Sequence, residues 1–353
     1  MKVREALGVD FRGDRLNVAQ VRQEDVPHHG AARSELPGSR PVLTHWGSQA
    51  VPAGAESAAV AAVLRKLLDD GGFTATAAVL GLPRGRGFLR CQAAGQEEMA
   101  AFSPTDYVVD SWRTDDGREV LGVASRADVT RLVEIAHQAS LQPVAVELPG
   151  LGCVTALGML GESAAQGAML GVVLGESDAT AALVDGQVLL AVQTRLRQHA
   201  AGLDRWDSAL TSVEQMFRLL AMAHPGVTTA QARVMVNSPD RQAAKNLADR
   251  LGVPVQLVRP GADRNLSFEG RELAEPAEYA AAIGLALEGL EEIAAAVARG
   301  RRARRPSGRG SVRPTAANAS ATDAHTMRSR NYSRRKTLTF KAWASTRRKP
   351  AAK

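Results

Sequence analysis

Aromatic residues and cysteines are scarce in this chain. Aromatic side chains make up 4% of the 353 residues and apolar residues 45%, so a core must be built mainly from Ala, Val and Leu. The two cysteines, Cys91 and Cys153, lie far apart and form no Cys-x-x-Cys pair. This argues against a disulfide framework or a cysteine zinc site and is typical of a reducing cytosol.

Long uninterrupted apolar runs are also missing. The opening residues, MKVREALGVD, contain no apolar stretch of the kind that marks a secretory signal. The most apolar segment, 148–175, is rich in Gly and is interrupted by Glu162 and Gln166, whereas a membrane-spanning helix needs about 20 predominantly apolar residues. We therefore predict a buried helix followed by a buried strand in this segment.

Charge divides the chain into two parts. Residues 299–353 hold 17 Lys and Arg and a single acid, Asp323. The remainder holds 27 basic and 36 acidic residues, a net charge of −9. The overall net charge of +7 therefore describes neither the acidic body nor the basic tail.

Alternating and helical apolar patterns predict the same order of elements in each half of the body. Two strands joined by a Gly turn (6–12 and 15–22) open the first half, and 168–174 with 179–184 open the second. Helices and strands alternate afterwards, and residues 25–41 are predicted to be a loop. Strand 120–123, the following helix to about Leu141 and the strand PVAVEL predict a crossover onto one shared sheet, provided that the two strands are parallel. FLRCQ is predicted to pair with the strand TAAVLGL before it.

This repeated order predicts a duplicated α/β architecture. We expect a first domain at 1–160 with an inserted small subdomain, a second at 161–298, and a disordered basic tail at 299–353. The tail, rich in Arg, Gly, Pro and Ser, has no apolar period that could support folding.

Five stretches, taken in order, resemble the cytoplasmic type IV pilus assembly proteins (the PilM-like family) of the actin-like ATPase superfamily, whose body is ribonuclease H-like. They are LGVDFRGDRLNVAQV, the segment from LGVASRAD to ELPGLG, LGVVLGESDATAALVDGQVLLAVQTR, VMVNSPDRQAAKNLADRLGVPVQLVRP and EYAAAIGLALEGL. The likeness covers residues 5–290 and excludes the tail. It implies phosphate-contacting hairpins at the first and third stretches and an adenosine loop in the fourth.

The phosphate-contacting positions depart from the family pattern. In the first hairpin Asp10 is kept, but Arg12 replaces a glycine before Gly13, and Asn17 stands at the lysine position. Arg12 should obstruct a phosphate, although its charge could attract one. In the second hairpin Leu174 precedes Gly175 where the family has an acid; Glu176 is displaced by two residues, and Glu176 and Asp178 are more often solvated turn residues than metal ligands.

The adenosine loop of the family has paired glycines, which are replaced here by Asn237, Ser238 and Pro239. Proline lacks an N–H group and restricts the residue before it. The resemblance therefore implies an ATP and Mg²⁺ site at Asp10, Arg12, Gly13, Gly175, Glu176 and Ser238 that is weak or lost. We expect no catalytic residues, no metal ligands and no useful ATP hydrolysis.

Other motifs favour simpler interpretations. GLPRGRG follows a strand but precedes another strand and lacks the P-loop lysine, so we interpret it as a hairpin turn with surface arginines. The histidines, His28 and His29 included, lack metal-ligand spacing. The basic clusters of the tail, with Phe340 and Trp343 between them, could bind nucleic acid or an anionic membrane surface, or stay solvated.

The resemblance implies a cytoplasmic scaffold of a type IV pilus, competence or secretion machine, recruited to the inner face of the inner membrane. Its partner would be the short cytoplasmic peptide of an inner-membrane pilus-assembly protein. Two alternatives remain open: an active actin-fold ATPase or sugar kinase, and a nucleic-acid-binding protein acting through its tail. The sequence does not define the oligomeric state.

Overall fold

The computed structural model describes residues 4–25, 39–93, 102–113, 117–159, 167–186, 188–196, 205–237, 241–261, 266–270 and 272–303. The predicted disorder of the tail beyond residue 303 and the predicted site residue Ser238 lie outside these ranges.

Within them the chain forms strands and helices that alternate along both halves. The strands are β1 (Arg4–Phe11), β2 (Arg15–Asp25), β3 (Ser39–Ala50), β4 (Ala77–Gly81), β5 (Gly87–Ala93), β6 (Tyr107–Arg113), β7 (Arg118–Ser125), β8 (Gln142–Glu147), β9 (Ala168–Leu174), β10 (Asp178–Asp185), β11 (Val188–Leu196), β12 (Thr229–Val236), β13 (Val255–Leu257) and β14 (Ser267–Phe268). The helices are α1 (Ser57–Asp70), α2 (Arg126–Gln138), α3 (Pro149–Ala156), α4 (Arg205–Ala223), α5 (Arg241–Leu251) and α6 (Pro276–Ala303).

The two large sheets repeat one topology. The first has the order β14-β3-β2-β1-β4-β8 and the second β11-β10-β9-β12-β13. In each large sheet the first three strands form an antiparallel meander. A fourth strand, β4 or β12, pairs in parallel with the first strand, and a fifth, β8 or β13, pairs in parallel with the fourth. The predicted duplication of the α/β body is therefore confirmed by strand order and direction.

A third sheet, β5-β7-β6, stands apart from the duplicated pair. The predicted crossover from strand 120–123 to PVAVEL onto one sheet is wrong, because β7 belongs to this small sheet whereas β8 lies beside β4. The predicted pairing of FLRCQ with TAAVLGL is wrong for the same reason, since β5 pairs with β7. Sequence patterns mark strands but not their partners.

Two helices lie between the large sheets and link them. All eight residues of α3 are buried, and α6 packs along β1 so closely that a Cβ at Gly8 would collide with the carbonyl oxygen of Ala282. A Cβ at Gly152 of α3 would lie 2.5 Å from the carbonyl oxygen of Ala281. The small residues of these helices therefore determine how near the two sheets can come to each other.

Local patterns predicted most of the elements. The buried helix and strand expected within 148–175 are α3 and β9, and the Asp128 N–H donates to the Ser125 side chain at the start of α2. The predicted loop at 25–41 overlaps the start of β3, a strand that was missed. Helix α2 ends before the predicted residue 141 because Ser140 has a positive φ of 63°. Helix α6 continues to Ala303, beyond residue 298 where the second domain was expected to end, since Ala and Arg favour helix.

The close crossing of α3 and α6 gives a stability prediction. Gly284→Ala should destabilise the fold by about 1–3 kcal/mol, because the added Cβ would collide with the backbone of Gly152. Helix propensity alone predicts the opposite sign, a gain of roughly 1 kcal/mol. Urea unfolding followed by circular dichroism measures the difference.

The control is Gly47→Ala, where the added Cβ lies 3.0 Å from the end of the Leu67 side chain and in ordinary contact, at 3.8 Å, with the Phe73 ring. Because the Leu67 side chain can rotate away, Gly47→Ala should lower the free energy of unfolding by less than Gly284→Ala. A Gly284→Ala protein as stable as the wild type would contradict the crossing described above.

Candidate functional site

The first half contributes three charged side chains to the cleft between the large sheets: Asp10, Arg12 and Arg84. Asp10 lies near the end of β1, and its parallel neighbour β4 ends at Gly81, directly beside it. Arg84 follows β4, and Arg12 occupies the turn between β1 and β2. Because parallel strands end at the same edge of a sheet, the turns after β1 and β4 are neighbours there.

The second half supplies a carboxylate from its own hairpin. The Gly175 N–H donates to the carbonyl oxygen of Asp178 at 3.0 Å, which closes the β9–β10 turn. Asp178 is 3% exposed, whereas Glu176 is exposed to solvent. A Cβ on Gly175 would lie 2.8 Å from Glu278 Oε1 and 2.9 Å from Asp178 Oδ1, so the glycine leaves room for both carboxylates.

Helix α6 adds the third carboxylate. Glu278 lies in the first turn of α6, where the helix dipole favours negative charge. Its Oε1 accepts the backbone N–H of Glu176, and its backbone carbonyl accepts from Asn17 Nδ2 at 2.8 Å. Asn237 Oδ1 accepts the Ala277 N–H at 3.0 Å and so anchors the start of α6.

Asp10, Arg12, Arg84, Asp178 and Glu278 meet in one group, called here the ionic cluster. Arg84 Nη1 and Nη2 lie 2.6 and 3.0 Å from the two carboxylate oxygens of Asp10, and Arg84 Nε lies 3.0 Å from Asp178 Oδ2. Arg12 Nε lies 3.1 Å from Asp10 Oδ2. Arg12 Nη1 lies 2.5 Å from Glu278 Oε2 and 3.5 Å from Asp178 Oδ1. The guanidinium groups thus join both halves of the chain.

The cluster is nearly dry. Its side chains are between 0% and 11% exposed. Its two positive and three negative charges leave one negative charge, which the backbone N–H of Glu176 and the start of α6 help to stabilise. Pairing must offset a desolvation cost of several kcal/mol for each ion.

The pKa values in the cluster follow from burial and pairing. Burial alone would raise the pKa of Asp10, but Arg84 and Arg12 outweigh it and hold this pKa below its ordinary value. Burial would lower the pKa of both arginines, yet Asp10 and Asp178 raise them above the ordinary value. Burial raises the pKa of the neighbouring Cys153 thiol to about 12, so this thiol stays protonated at neutral pH.

The structure brings together part of the predicted site. Asp10, Arg12 and Gly175 meet in the cleft, but Gly13 faces solvent at the turn and the carboxylate of Glu176 is exposed. Asp178 reaches the cluster instead of Glu176. Arg12 lies between the hairpins, and its charge is paired with Asp10 and Glu278.

Two members of the cluster were missed by sequence reasoning. Arg84 belongs to GLPRGRG, where a turn forms but the predicted hairpin does not, since β5 pairs with β7 and not with β4. The predicted surface position of this arginine is also wrong: its side chain is 9% exposed. Arg84 comes close to Asp10 because β4, which precedes Arg84, pairs with β1. Glu278 carried no signal beyond being an acid at the start of a helix.

Among the described residues no group of three or more His, Cys, Asp or Glu side chains is arranged to hold a metal ion. A search of the same residues finds no helix that is long and apolar enough to cross a membrane.

Two cavities adjoin the ionic cluster. The first, called here the groove, encloses about 210 Å³ and is lined by Phe11, Gly13, Arg15, Leu16, Val51, Val60, Pro83, Arg86, Asp128, Arg131, Leu132 and Ile135. The second encloses about 420 Å³ between the ends of β12 and β13 and the start of α6, and Asn237 is part of its wall. All residues of the groove belong to the first half.

Several solved structures are similar to this chain. A chain of the PilM–PilN type IV pilus biogenesis complex overlaps with 81% of this chain and 98% of its own length, with a TM-score of 0.61 and 20% identity. The ethanolamine utilization protein EutJ from Carboxydothermus hydrogenoformans overlaps with 81% of this chain and 90% of its own, with a TM-score of 0.44 and 10% identity. The cytoplasmic domain of EpsL, an inner membrane component of the type II secretion system of Vibrio cholerae, overlaps with 81% of this chain and 93% of its own, with a TM-score of 0.39 and 9% identity. No protein-family model matches the chain, and no curated protein matches it.

The duplicated sheets and the overlap with the PilM–PilN structure define the class of the protein: a two-halved α/β body with the actin-like fold. Within that class its fold is PilM-like.

The lowered pKa of Asp10 gives a pH-dependent prediction. Because this pKa is lower in the folded protein than its ordinary value of 3.8, pairing of Asp10 stabilises the fold fully above that pH. The stabilisation is lost as the pH falls through the folded pKa. Asp10→Asn should therefore lower the free energy of unfolding by about 3–5 kcal/mol at neutral pH. The difference in unfolding free energy between this variant and the wild type should become smaller below pH 3.8.

Urea unfolding at several pH values measures this difference in unfolding free energy. The control is Asp185→Asn, whose carboxylate is 44% exposed and 3.6 Å from Arg118; it should cost less than about 1 kcal/mol. If the loss of unfolding free energy in Asp10→Asn did not change with pH, this would contradict the lowered pKa of Asp10 in the folded protein.

Proposed function

We propose that this chain is a cytoplasmic scaffold of a type IV pilus or related secretion machine. In this proposal it binds a short cytoplasmic peptide of an inner-membrane partner and is thereby recruited to the inner face of that membrane. The observation that carries the proposal is the ionic cluster, which fills the cleft between the hairpins in a body whose fold overlaps with the PilM–PilN structure.

The residues of the cleft do not fit a magnesium nucleotide. A phosphate would need free backbone N–H groups at the hairpin turns, but Arg12 lies across this space and the Glu176 N–H is donated to Glu278. A magnesium ion would need carboxylates as ligands, and both Asp10 and Asp178 are paired with guanidinium groups. Binding would require several buried ion pairs to break first.

Titration of the full chain with ATP and Mg²⁺ tests this part of the proposal. Calorimetry should detect no saturable binding with a Kd below about 1 mM, which corresponds to a binding free energy of about −4 kcal/mol. The matched variant is Arg12→Gly, which restores the glycine expected at this turn. Magnesium-dependent ATP binding by the wild type in the micromolar range, or turnover that depends on Asp10, would favour the ATPase alternative.

The groove is our candidate for the peptide site. Its floor is apolar, with Leu132 and Ile135 from α2 and Val60 from α1. Its volume is below the roughly 300–1,000 Å³ of pockets that hold drug-sized ligands. The groove is therefore better suited to one or two side chains of a peptide than to a whole cofactor.

The charge at the rim of the groove suggests the chemistry of the peptide. Arg15, Arg86 and Arg131 are exposed there, with Asp128 as the acid among the lining residues. Arg131 also donates to the carbonyl oxygen of Ala55 at 2.7 Å and so holds α2 against the segment before α1. We expect a peptide that inserts apolar side chains and presents a carboxylate to the rim.

The probe for this site is a synthetic peptide of the cytoplasmic N-terminal segment of the PilN-like protein from the same genome. Arg86→Glu should weaken its binding by about tenfold or more, since a favourable charge becomes repulsive and tenfold corresponds to about 1.4 kcal/mol. Fluorescence anisotropy of the labelled peptide measures the affinity.

The matched control for this measurement is Arg113→Glu, because Arg113 is also exposed but does not line the groove. Equal losses in both variants would show only a general charge effect. Unchanged binding in Arg86→Glu would contradict the placement of the peptide in the groove.

A further inference from the structure

The turn after β1 has one side in the groove and the other in the ionic cluster. Phe11 and Gly13 line the groove, while Arg12 between them pairs with Asp10 and Glu278. Phe11 is the last residue of β1, and Gly13 has a positive φ of 92°, so the backbone turns around Arg12 between the two sites. A shift of the backbone at Arg12 would therefore also move the groove residues beside it.

The turn after β4 is divided in the same way. Pro83 and Arg86 line the groove, while Arg84 pairs with Asp10 and Asp178. The Arg86 N–H donates to the carbonyl oxygen of Pro83 at 3.1 Å, which closes the turn around Arg84. Two walls of the groove are thus built on the backbone that carries both arginines of the cluster.

The carboxylates that hold these arginines come partly from the far side of the cleft. Asp178 belongs to β10 in the second half, and Glu278 to the first turn of α6; neither residue lines the groove. Three close charge contacts tie the two turns to elements outside the groove: Arg12 lies 2.5 Å from Glu278 and 3.5 Å from Asp178, and Arg84 lies 3.0 Å from Asp178. Arg12 also donates to the backbone carbonyl oxygen of Glu278.

We propose that the ionic cluster couples the groove to the pairing of the two halves, with Arg12 and Arg84 as positioning residues for the peptide site. When both arginines are paired across the cleft, the two turns hold the groove in its binding shape. When the pairing across the cleft is lost, the turns relax and the groove loses affinity. The identity of the bound peptide rests on the function proposed above, but the coupling itself does not.

Coupling between two sites is reciprocal. If pairing across the cleft favours peptide binding, a bound peptide must favour pairing across the cleft by the same factor. The groove and the second hairpin can therefore each be perturbed while the other is observed.

The first arm perturbs the second half and observes the groove without any ligand. Asp178→Asn removes a carboxylate shared by Arg12 and Arg84 while keeping the size of the side chain. Hydrogen exchange measured by mass spectrometry should become at least about fivefold faster at residues 11–16 and 83–87, the lower end of typical coupling. Exchange in α1 should be unchanged, which distinguishes loss of positioning from general destabilisation.

Two companion variants control this arm. Asp185→Asn changes an exposed acid at the other end of the same strand and should leave both turns as in the wild type. Glu278→Gln weakens the Arg12 pairing from α6 and should reproduce the effect at residues 11–16, so that the proposal is tested even if Asp178→Asn does not fold. Wild-type exchange at both turns in every folded cluster variant would overturn the proposal.

The second arm uses the full wild-type chain and the synthetic PilN-like peptide. Binding should slow exchange at residues 175–178 of the second hairpin, although no residue of that hairpin lines the groove. Asp178→Asn should weaken peptide binding by about 5–150-fold, with Asp185→Asn unchanged. Peptide binding without either effect would overturn the coupling while leaving the proposed function intact. If no peptide binds the wild type, the proposed function fails and the first arm alone decides the coupling.

Discussion

Two guanidinium groups must share three carboxylates in a cleft that water barely reaches. A buried ion without a partner costs several kcal/mol, so Arg12 and Arg84 each need acceptors from more than one element. Asp10 serves both arginines from the first sheet, and Asp178 and Glu278 complete their coordination from β10 and α6. This requirement determines how the two hairpins, the turn after β4 and the start of α6 are placed relative to one another.

The scarcity of aromatic residues has a structural counterpart in the packing of the helices between the sheets. Ala and Gly let α3 and α6 cross with backbone atoms close to each other and let α6 lie directly on β1. Larger side chains would move α6 outward and withdraw Glu278 from Arg12. The small-residue core and the charged cleft are therefore parts of one arrangement, in which close packing delivers a carboxylate to the site.

The sequence predicted the hairpins and named two charged members of the cluster, Asp10 and Arg12. This was possible because turns and alternating apolar patterns depend on residues that are close together in the chain. It favoured Glu176 on the second hairpin, but the side chain that faces the cleft is Asp178, on the strand that follows the turn. Arg84 looked like a surface residue, since nothing in GLPRGRG indicates that β4 pairs with β1. The strand partners within the small third sheet were predicted wrongly for the same reason, because strand partners depend on contacts between distant residues.

The sequence by itself determined the duplicated order of strands and helices, the division into an acidic body and a basic tail, and the replacement of a hairpin glycine by Arg12. These features depend on local pattern and composition, which can be read without knowing what packs against what. Only the tertiary structure decided that Arg84 and Glu278 join Arg12 in the cleft, and that the same two turns form the walls of the groove. Residues separated by up to 266 positions meet there, and their contacts follow from the pairing of strands and the crossing of helices.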